Sequence, residues 1–358
     1  MPTAATGRCA RAATGLRLFA RAALVLLAAL PALAETPQPA VIAPLAARSL
    51  LLDVTVLPGG TVVAVGERGH VLLSRDGGSS FTQSPAPARS NLTAVSFVDR
   101  EHGWAVGHDE VILRTSDGGA SWQLAHYAPE KQQPLLGVWF GDATHGIAIG
   151  AFATVYTTAD GGQSWTASEF TPKPLHAAPV KAHTGRTTAA DLAESDDQGL
   201  AQPHLNAIAR ARSGRLYIAG EAGHFFSSDD GGHSWAQLPA PYDGSLFGIL
   251  PLDGDALLVF GLRGHLFRSE DAGHSWRALE SHCEALLSGS TRLGDGTIVI
   301  VGLSGTVLVS VDGGQTFAVH QQADRKGLAA VAAAPGGVVV VGETGVHLLS
   351  RAALGLEG

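Results

Sequence analysis

Six short segments of the chain repeat a carboxylate, a hydroxyl and an aromatic ring at fixed spacing, residue types from which acid–base or metal chemistry could be built. The first reads Ser74-Arg75-Asp76-Gly77-Gly78-Ser79-Ser80-Phe81. The others centre on Asp117 with Trp122, Asp160 with Trp165, Asp230 with Trp235, Asp271 with Trp276 and Asp312 with Phe317. A calcium loop needs several oxygen ligands and a distant Glu, and even Asp229-Asp230-Gly231 lacks both the third acidic position and that Glu. A lone carboxylate in a tight turn has a simpler use. It accepts backbone N–H bonds while the following Gly takes positive φ and the Ser or Thr hydroxyl closes the loop. The six Asp residues therefore read as structural, and the aromatic rings after them as packing between repeated units.

Other reactive residues are equally sparse. His70, His224 and His265 each follow the second Gly of a hairpin in a different unit, which suits turns better than one metal centre. His282-Cys283-Glu284 has the residue types of a thiol nucleophile, but sequence neighbours seldom face one another productively. Sialidase chemistry needs a Tyr nucleophile paired with Glu, together with an Arg cluster. Of the four tyrosines, Tyr127, Tyr156, Tyr217 and Tyr242, two (Tyr156 and Tyr217) lie inside strand-like runs. No residue is assigned to catalysis or to a metal, and no cofactor is expected.

The elements that carry these residues form a repeat. The Asp spacings are 41, 43, 70, 41 and 41 residues, and a period near 41 is the length of one four-stranded propeller blade. A second pattern, an apolar run ending in Gly, recurs at Gly66, Gly107, Gly150, Gly220, Gly261, Gly302 and Gly342. Each marks a hairpin, with the Gly expected to supply positive φ. In the second unit the strands are expected at Leu92–Val98, Gly103–Val106, Val111–Thr115 and Ser121–His126. Runs without alternation, such as Val338 to Val341, suit strands buried on both faces. The fold class is thus all-β, a seven-bladed β-propeller of four-stranded antiparallel blades over residues 35–351, followed by a tail at 352–358. The last unit, Leu328 to Ser350, supplies three strands only. Because proteins avoid open edges, Val41 to Ala46 is expected to add the fourth strand and close the ring. The long spacing leaves about 29 extra residues, an insertion running from about Thr171 to Pro203, read as a long loop with a short helix near Ala189 to Ala193.

Ahead of the repeats, residues 1–34 read as a signal peptide. Arg8, Arg11, Arg17 and Arg21 precede the apolar run Leu24 to Leu33, and Ala32-Leu33-Ala34 fits small-x-small cleavage. Export to the periplasm or beyond is expected. Loss of those four Arg leaves 20 Lys and Arg against 32 Asp and Glu, a mature charge near −12. That balance excludes a nucleic-acid partner, which selects Lys and Arg clusters. Cys9 leaves with the leader, so Cys283 is left without a partner for a disulfide.

The pattern Ser/Thr-x-Asp-x-Gly-x-Ser/Thr-Trp/Phe is the Asp-box, or bacterial neuraminidase repeat, which occurs in sialidases, receptors and assembly factors alike. The surrounding units resemble the photosystem II stability and assembly factor family and its relatives in non-photosynthetic bacteria. The resemblance is carried by Leu92-Thr93-Ala94-Val95-Ser96-Phe97, His102-Gly103-Trp104-Ala105-Val106-Gly107-His108, Leu205-Asn206-Ala207-Ile208-Ala209 and Ile218-Ala219-Gly220-Glu221-Ala222-Gly223. It covers about Leu50 to Ser350. It implies a cofactor-free scaffold in an exported compartment that serves a membrane-protein assembly: photosystem II in photosynthetic cells, another complex elsewhere. Members of the photosynthetic branch are Arg-rich on one face; here Arg68 and Arg263 stand at the equivalent turns.

Strand direction sorts the turns. In an antiparallel blade, the turn between strands two and three lies opposite the turn between three and four. The Asp-boxes thus share one face. The other collects Glu67, Arg68, Asp109, Glu110, Glu221, Arg263 and Glu343, together with the connections between blades and the insertion. Loops on a rigid scaffold are where binding concentrates, so these seven residues are the candidate contacts for a protein partner. The alternative reading is a sialidase-type glycoside hydrolase or carbohydrate-binding propeller. Against it, the Arg-Ile/Leu-Pro signature is absent, and seven units do not match six-bladed sialidases.

Overall fold

A computed structural model describes residues 36–175, 202–356. The expected leader at 1–34, the greater part of the 171–203 insertion with its expected helix, and the last two residues lie outside the described residues.

Among the described residues, seven antiparallel sheets follow one another, six of four strands and a last one of three. Blade 1 consists of Leu51–Val56, Val62–Gly66, Val71–Ser74 and Thr82–Gln83. Blades 2 to 6 begin at Leu92, Leu135, Leu205, Leu246 and Leu287, and blade 7 consists of Leu328–Ala334, Gly337–Gly342 and Gly345–Ser350. Every second strand is buried along its whole length, as in Val62–Gly66 and Ile298–Gly302, because each blade is sandwiched between two others. First strands are only partly buried, with every third residue buried in Leu51–Val56 and Leu92–Phe97. Polar side chains tie adjacent first strands together: Thr93 Oγ1 donates to Leu135 O (2.6 Å), Asn206 Nδ2 to Leu246 O (2.9 Å) and Ser288 Oγ to Leu328 O (2.9 Å). Among the described residues, no helix is long and apolar enough to cross a membrane.

The apolar core divides into seven clusters, and each draws its residues from two neighbouring blades. One of them joins Leu51, Val62 and Leu72 of blade 1 to Ala330, Val339 and Val341 of blade 7. The ring is therefore closed by sheet-on-sheet burial. The expected closing strand at Val41–Ala46 does not form. That segment runs along blade 1: Ala40 N–H donates to Ala86 O (3.0 Å), Ala43 N–H to Gln83 Oε1 (2.8 Å) and Gln83 Nε2 to Val41 O (3.0 Å). It then makes a 3₁₀ turn at Ala46–Arg48. Pro44 has no N–H to offer a ladder, and burial at the seam closes the ring without one.

Each unit's aromatic residue after the acidic turn fills the seam with the preceding blade, as Trp122, Trp235 and Phe317 do. Blade 7 has no acidic turn. Leu354 and Leu356 take that place between blades 6 and 7, with Leu354 1 % exposed. Two residues of the segment expected as a tail, Leu354 and Leu356, are thus part of the core.

The recurrent Gly at the end of each second strand has a different reason from the one expected. Gly66 and Gly302 have φ of −174° and −165°, which is ordinary extended backbone. A Cβ on Gly302 would lie 2.1 Å from Leu286 O, and one on Gly66 2.3 Å from Leu50 O. Close approach to the start of the first strand, not handedness, selects Gly there. The left-handed residues come later in the turn, Arg68 (φ 55°) and Gly69 (φ 70°) in blade 1.

Candidate interaction face

The six acidic turns share one set of bonds. In blade 4, Ser228 Oγ and Ser234 N–H donate to Asp230 Oδ1 (2.8 and 2.9 Å), and Ser234 Oγ donates to Oδ2 (2.6 Å). Gly232 N–H in turn donates to Ser228 Oγ (2.9 Å). Asp76, Asp117, Asp160, Asp271 and Asp312 each accept the same hydroxyl and backbone donors. The following serine and its backbone N–H hold Asp160 and Asp271 down to a pKa of about 2, and hold Asp230 lower still. Carboxylates so engaged have little left to offer a cation or a substrate proton. These turns also bond to the turns between strands one and two: Gly118 N–H to Glu101 O (3.0 Å), Gly161 N–H to Thr144 O (2.9 Å). Both turn types therefore lie on one face.

The turns between strands two and three bond instead to the connections between blades. Arg68 N–H donates to Asn91 Oδ1 (2.9 Å) and Ser90 Oγ to Asp109 Oδ2 (2.6 Å), so one connection braces the turns of blades 1 and 2. Ala153 N–H donates to Pro203 O (2.8 Å) and Gly264 N–H to Ala285 O (2.7 Å). The chain re-enters from the insertion on this second face. At its other end the insertion first lies along the outer edge of blade 4, where Lys173 N–H donates to Trp235 O (2.8 Å) and Gln237 N–H to Lys173 O (2.9 Å).

Of the seven candidate contacts, Glu67, Arg68, Asp109, Glu221, Arg263 and Glu343 occupy these turns. They sit in five different blades and do not gather into one site. Glu221 Oε1 accepts His204 N–H (3.0 Å), and Glu343 lies 3.8 Å from Lys326 Nζ.

Glu110 is not a surface contact. It is 1 % exposed, and its Oε2 accepts Tyr156 OH (2.6 Å) and Lys131 Nζ (2.9 Å), with His126 Nε2 at 3.4 Å. The third position of this turn holds a small residue in the other blades (Gly69, Ala153, Gly223, Gly264, Gly305, Gly345), so a long side chain placed there turns into the seam. Burial pushes the Glu110 carboxyl up, but the bonds from His126, Tyr156 and Lys131 outweigh it and hold the group below its ordinary value. Burial and the nearby Glu110 raise Tyr156, whose phenol therefore stays protonated. This Tyr–Glu pair has the residue types of a sialidase nucleophile, but Tyr156 is 3 % exposed and no sugar could reach it.

The histidines singled out in sequence stay apart. His70 is buried, His224 Nδ1 contacts Glu221 O (2.8 Å), and His265 clusters with Tyr242 and Phe267, whose rings also touch each other. Cys283 Sγ meets Ser281 Oγ at 3.6 Å rather than the adjacent His282.

The sequence reading missed the apolar members of the second face. Phe152, Leu262 and Leu303 occupy its turns, and Phe152 is 50 % exposed. Phe152 is held at φ 52°, a left-handed conformation costly for a bulky residue, with its ring edge-on to His204 at 4.9 Å. Val41, Ile42 and Leu45 are exposed on the segment that leads to the start of blade 1. The signal was available: Phe152 stands where the other turns have Arg68, Asp109, Arg263 or Ser304.

The sequence pattern of the family described as Photosynthesis system II assembly factor YCF48 matches residues 85–133, 127–337. The chain belongs to this family. A curated relative, Photosystem II assembly protein Ycf48 of Thermosynechococcus vestitus, is 40 % identical over 37 residues, 10 % of this chain and 11 % of that protein. Among solved structures, YCF48 bound to D1 peptide is 19 % identical and superposes with a TM-score of 0.60, covering 87 % of this chain and 98 % of the other. YCF48 from Cyanidioschyzon merolae gives 0.59 at 19 % identity, covering 86 % and 96 %. A Staphylococcus aureus virginiamycin B lyase gives 0.64 at 12 % identity, covering 84 % and 94 %. At these identities the structures share the fold, and a shared fold carries more than one function.

Proposed function

We propose that this propeller is an exported, non-enzymatic assembly scaffold that docks a protein partner, a membrane-protein complex, through the face opposite the acidic turns. The observation that carries the reading is the exposure of Phe152, Leu262 and Leu303 on turns of that one face, interspersed with Arg68, Asp109 and Arg263. Interfaces combine apolar and aromatic anchors with a polar rim in this way. A ring closed by seven buried seams presents such a surface without reorganising. Family membership supports the reading, as does the relative solved with a D1 peptide. The glycoside hydrolase alternative finds its Tyr–Glu pair sealed in the core.

The test is a Phe152→Asp, Leu262→Asp double variant of the full chain, compared with Gln163→Asp on the acidic-turn face. The double variant is expected to fold normally and to lose co-purification with its membrane partner, while Gln163→Asp keeps it. Retention of the partner by the double variant would refute the assignment.

A further inference from the structure

Blade 7 ends differently from every other blade. In blades 1 to 6 the outermost strand is two to four residues long, as in Thr82–Gln83, Ala236–Gln237 and Ala318–Gln321. Short outer strands are one way in which sheets protect their edges. In blade 7 the outermost strand is Gly345–Ser350, six residues paired without a bulge to Gly337–Gly342. It contains no Lys, Arg, Asp, Glu or Pro. Among the described residues, no backbone hydrogen bond reaches its outer side. The Ala46–Arg48 turn lies against the start of this strand: a Cβ on Gly345 would meet Ala47 O at 2.0 Å, and Val346 packs in the cluster that holds Ala46 and Ala47, whereas His347, Leu348 and Ser350 are exposed. The C-terminal turn leads away into the seam with blade 6. Leu348, 47 % exposed, lies beside Gly78 of blade 1.

From this we propose that blade 7 receives an extended segment of the protein partner as its fourth strand, hydrogen-bonded along Gly345–Ser350 with an apolar residue against Leu348. Strand addition to a bare sheet edge is a general mode of peptide recognition. The fold already tolerates it elsewhere, since Lys173 pairs along the outer edge of blade 4. A flexible segment suits the slot better than a second copy does. Edge-to-edge pairing of two six-residue strands buries far less than the ~1,000 Å² that a stable interface between rigid bodies needs. A single strand can also pack on the flanking blades. The edge begins at the Glu343–Gly345 turn on the proposed docking face, so a segment leaving that face can run down it. Leu354 and Leu356 already fill the seam, so the guest need bring no aromatic anchor.

This inference rests on the protein-binding reading above, and its test is independent of the natural partner. The probe is a capped synthetic peptide of residues 317–322, a sequence that forms an outer strand in blade 6 of this same ring. Hydrogen exchange of the full mature chain is followed with and without millimolar peptide. Alternate amides of Gly345–Ser350 are expected to exchange freely in the unbound protein and to slow at least tenfold with peptide. Leu348→Lys should abolish the slowing, whereas Val319→Lys in blade 6 should not. No slowing with peptide would overturn the proposal. So would full protection before peptide is added, which would show the edge covered by the chain itself, or protection that rises with protein concentration, which would assign it to a second copy. Any of these results would leave partner loss on Phe152→Asp, Leu262→Asp standing by itself.

Discussion

The two faces of the ring are built from turns of equal regularity, yet they differ in what they hold constant. On the acidic face both backbone and side chains repeat: Asp76, Asp117, Asp160, Asp230, Asp271 and Asp312 make the same bonds, and an aromatic ring follows each into a seam. On the opposite face the backbone repeats, with a left-handed second residue at Arg68, Asp109, Phe152, Ala222, Arg263 and Ser304, while the side chains there are basic, acidic, aromatic or small. Where the side chain does the folding work, its identity is fixed. Where the backbone does it alone, the side chain is free to serve something else.

Substitutions of the repeated side chains of the first face, or of the glycines on which the second-face backbone depends, should therefore change stability, whereas substitutions of the exposed, variable side chains of the second face should change binding. The largest effect is expected for Trp122→Ala. Removing this buried ring from the seam of blades 1 and 2 should cost about 3–5 kcal/mol, read by urea denaturation; a loss near zero would deny the seam role. Next is Gly302→Ala, which drives a Cβ into Leu286 O and should cost roughly 1–3 kcal/mol. If positive φ were the reason for this Gly, neighbouring geometry would not matter; the prediction is that Gly305, at φ 70°, tolerates Asn better than Gly302 tolerates Ala.

That pair of glycines shows how far the sequence could be read. The period near 41 residues fixes the blade count, and the Asp motif fixes which turns are alike, because both are local regularities. Closure was not legible in this way: the edge rule suggests a strand, whereas the actual solution, burial between Leu51 and Val339, is non-local. The role of Leu354 in the last seam has the same cause. The charged neighbours of Glu110 in the turn suggest a surface position, and only the third-position geometry turns it inward. Phe152 carries no charge, and its exposure depends on a left-handed turn that its neighbours in sequence do not announce.

pH should separate the acidic face from the inner strands. Asp160 and Asp271, held at about 2 by their serine bonds, stabilise the fold fully above the usual carboxylate pKa, and that contribution disappears as pH falls from about 4 through 2. Asp53 has the opposite sign. Burial raises it to about 6 despite N–H bonds from Val95 and Val54, so its contribution is present below about pH 4 and is lost as pH rises through 6. The melting temperature is expected to rise from pH 2 to 4 and to slope downward between 5 and 7. Asp53→Asn should flatten the second slope without touching the first.

The smallest expected effect on stability is that of Phe152→Gly, within about 0.5 kcal/mol of zero or slightly favourable, because Gly accepts φ 52° without strain. Its effect on partner binding should nevertheless be large, which is the reverse of Trp122→Ala.

The central claim, that partners meet the face opposite the acidic turns, is tested most directly by photo-crosslinking in intact cells. The reactive amino acid is placed at Phe152 or Arg263 on one face and at Ser79 or Gln163 on the other. The account predicts the same partner adduct from the first two positions and none from the second two. Adducts from Ser79 and Gln163, with none from Phe152 and Arg263, would contradict it.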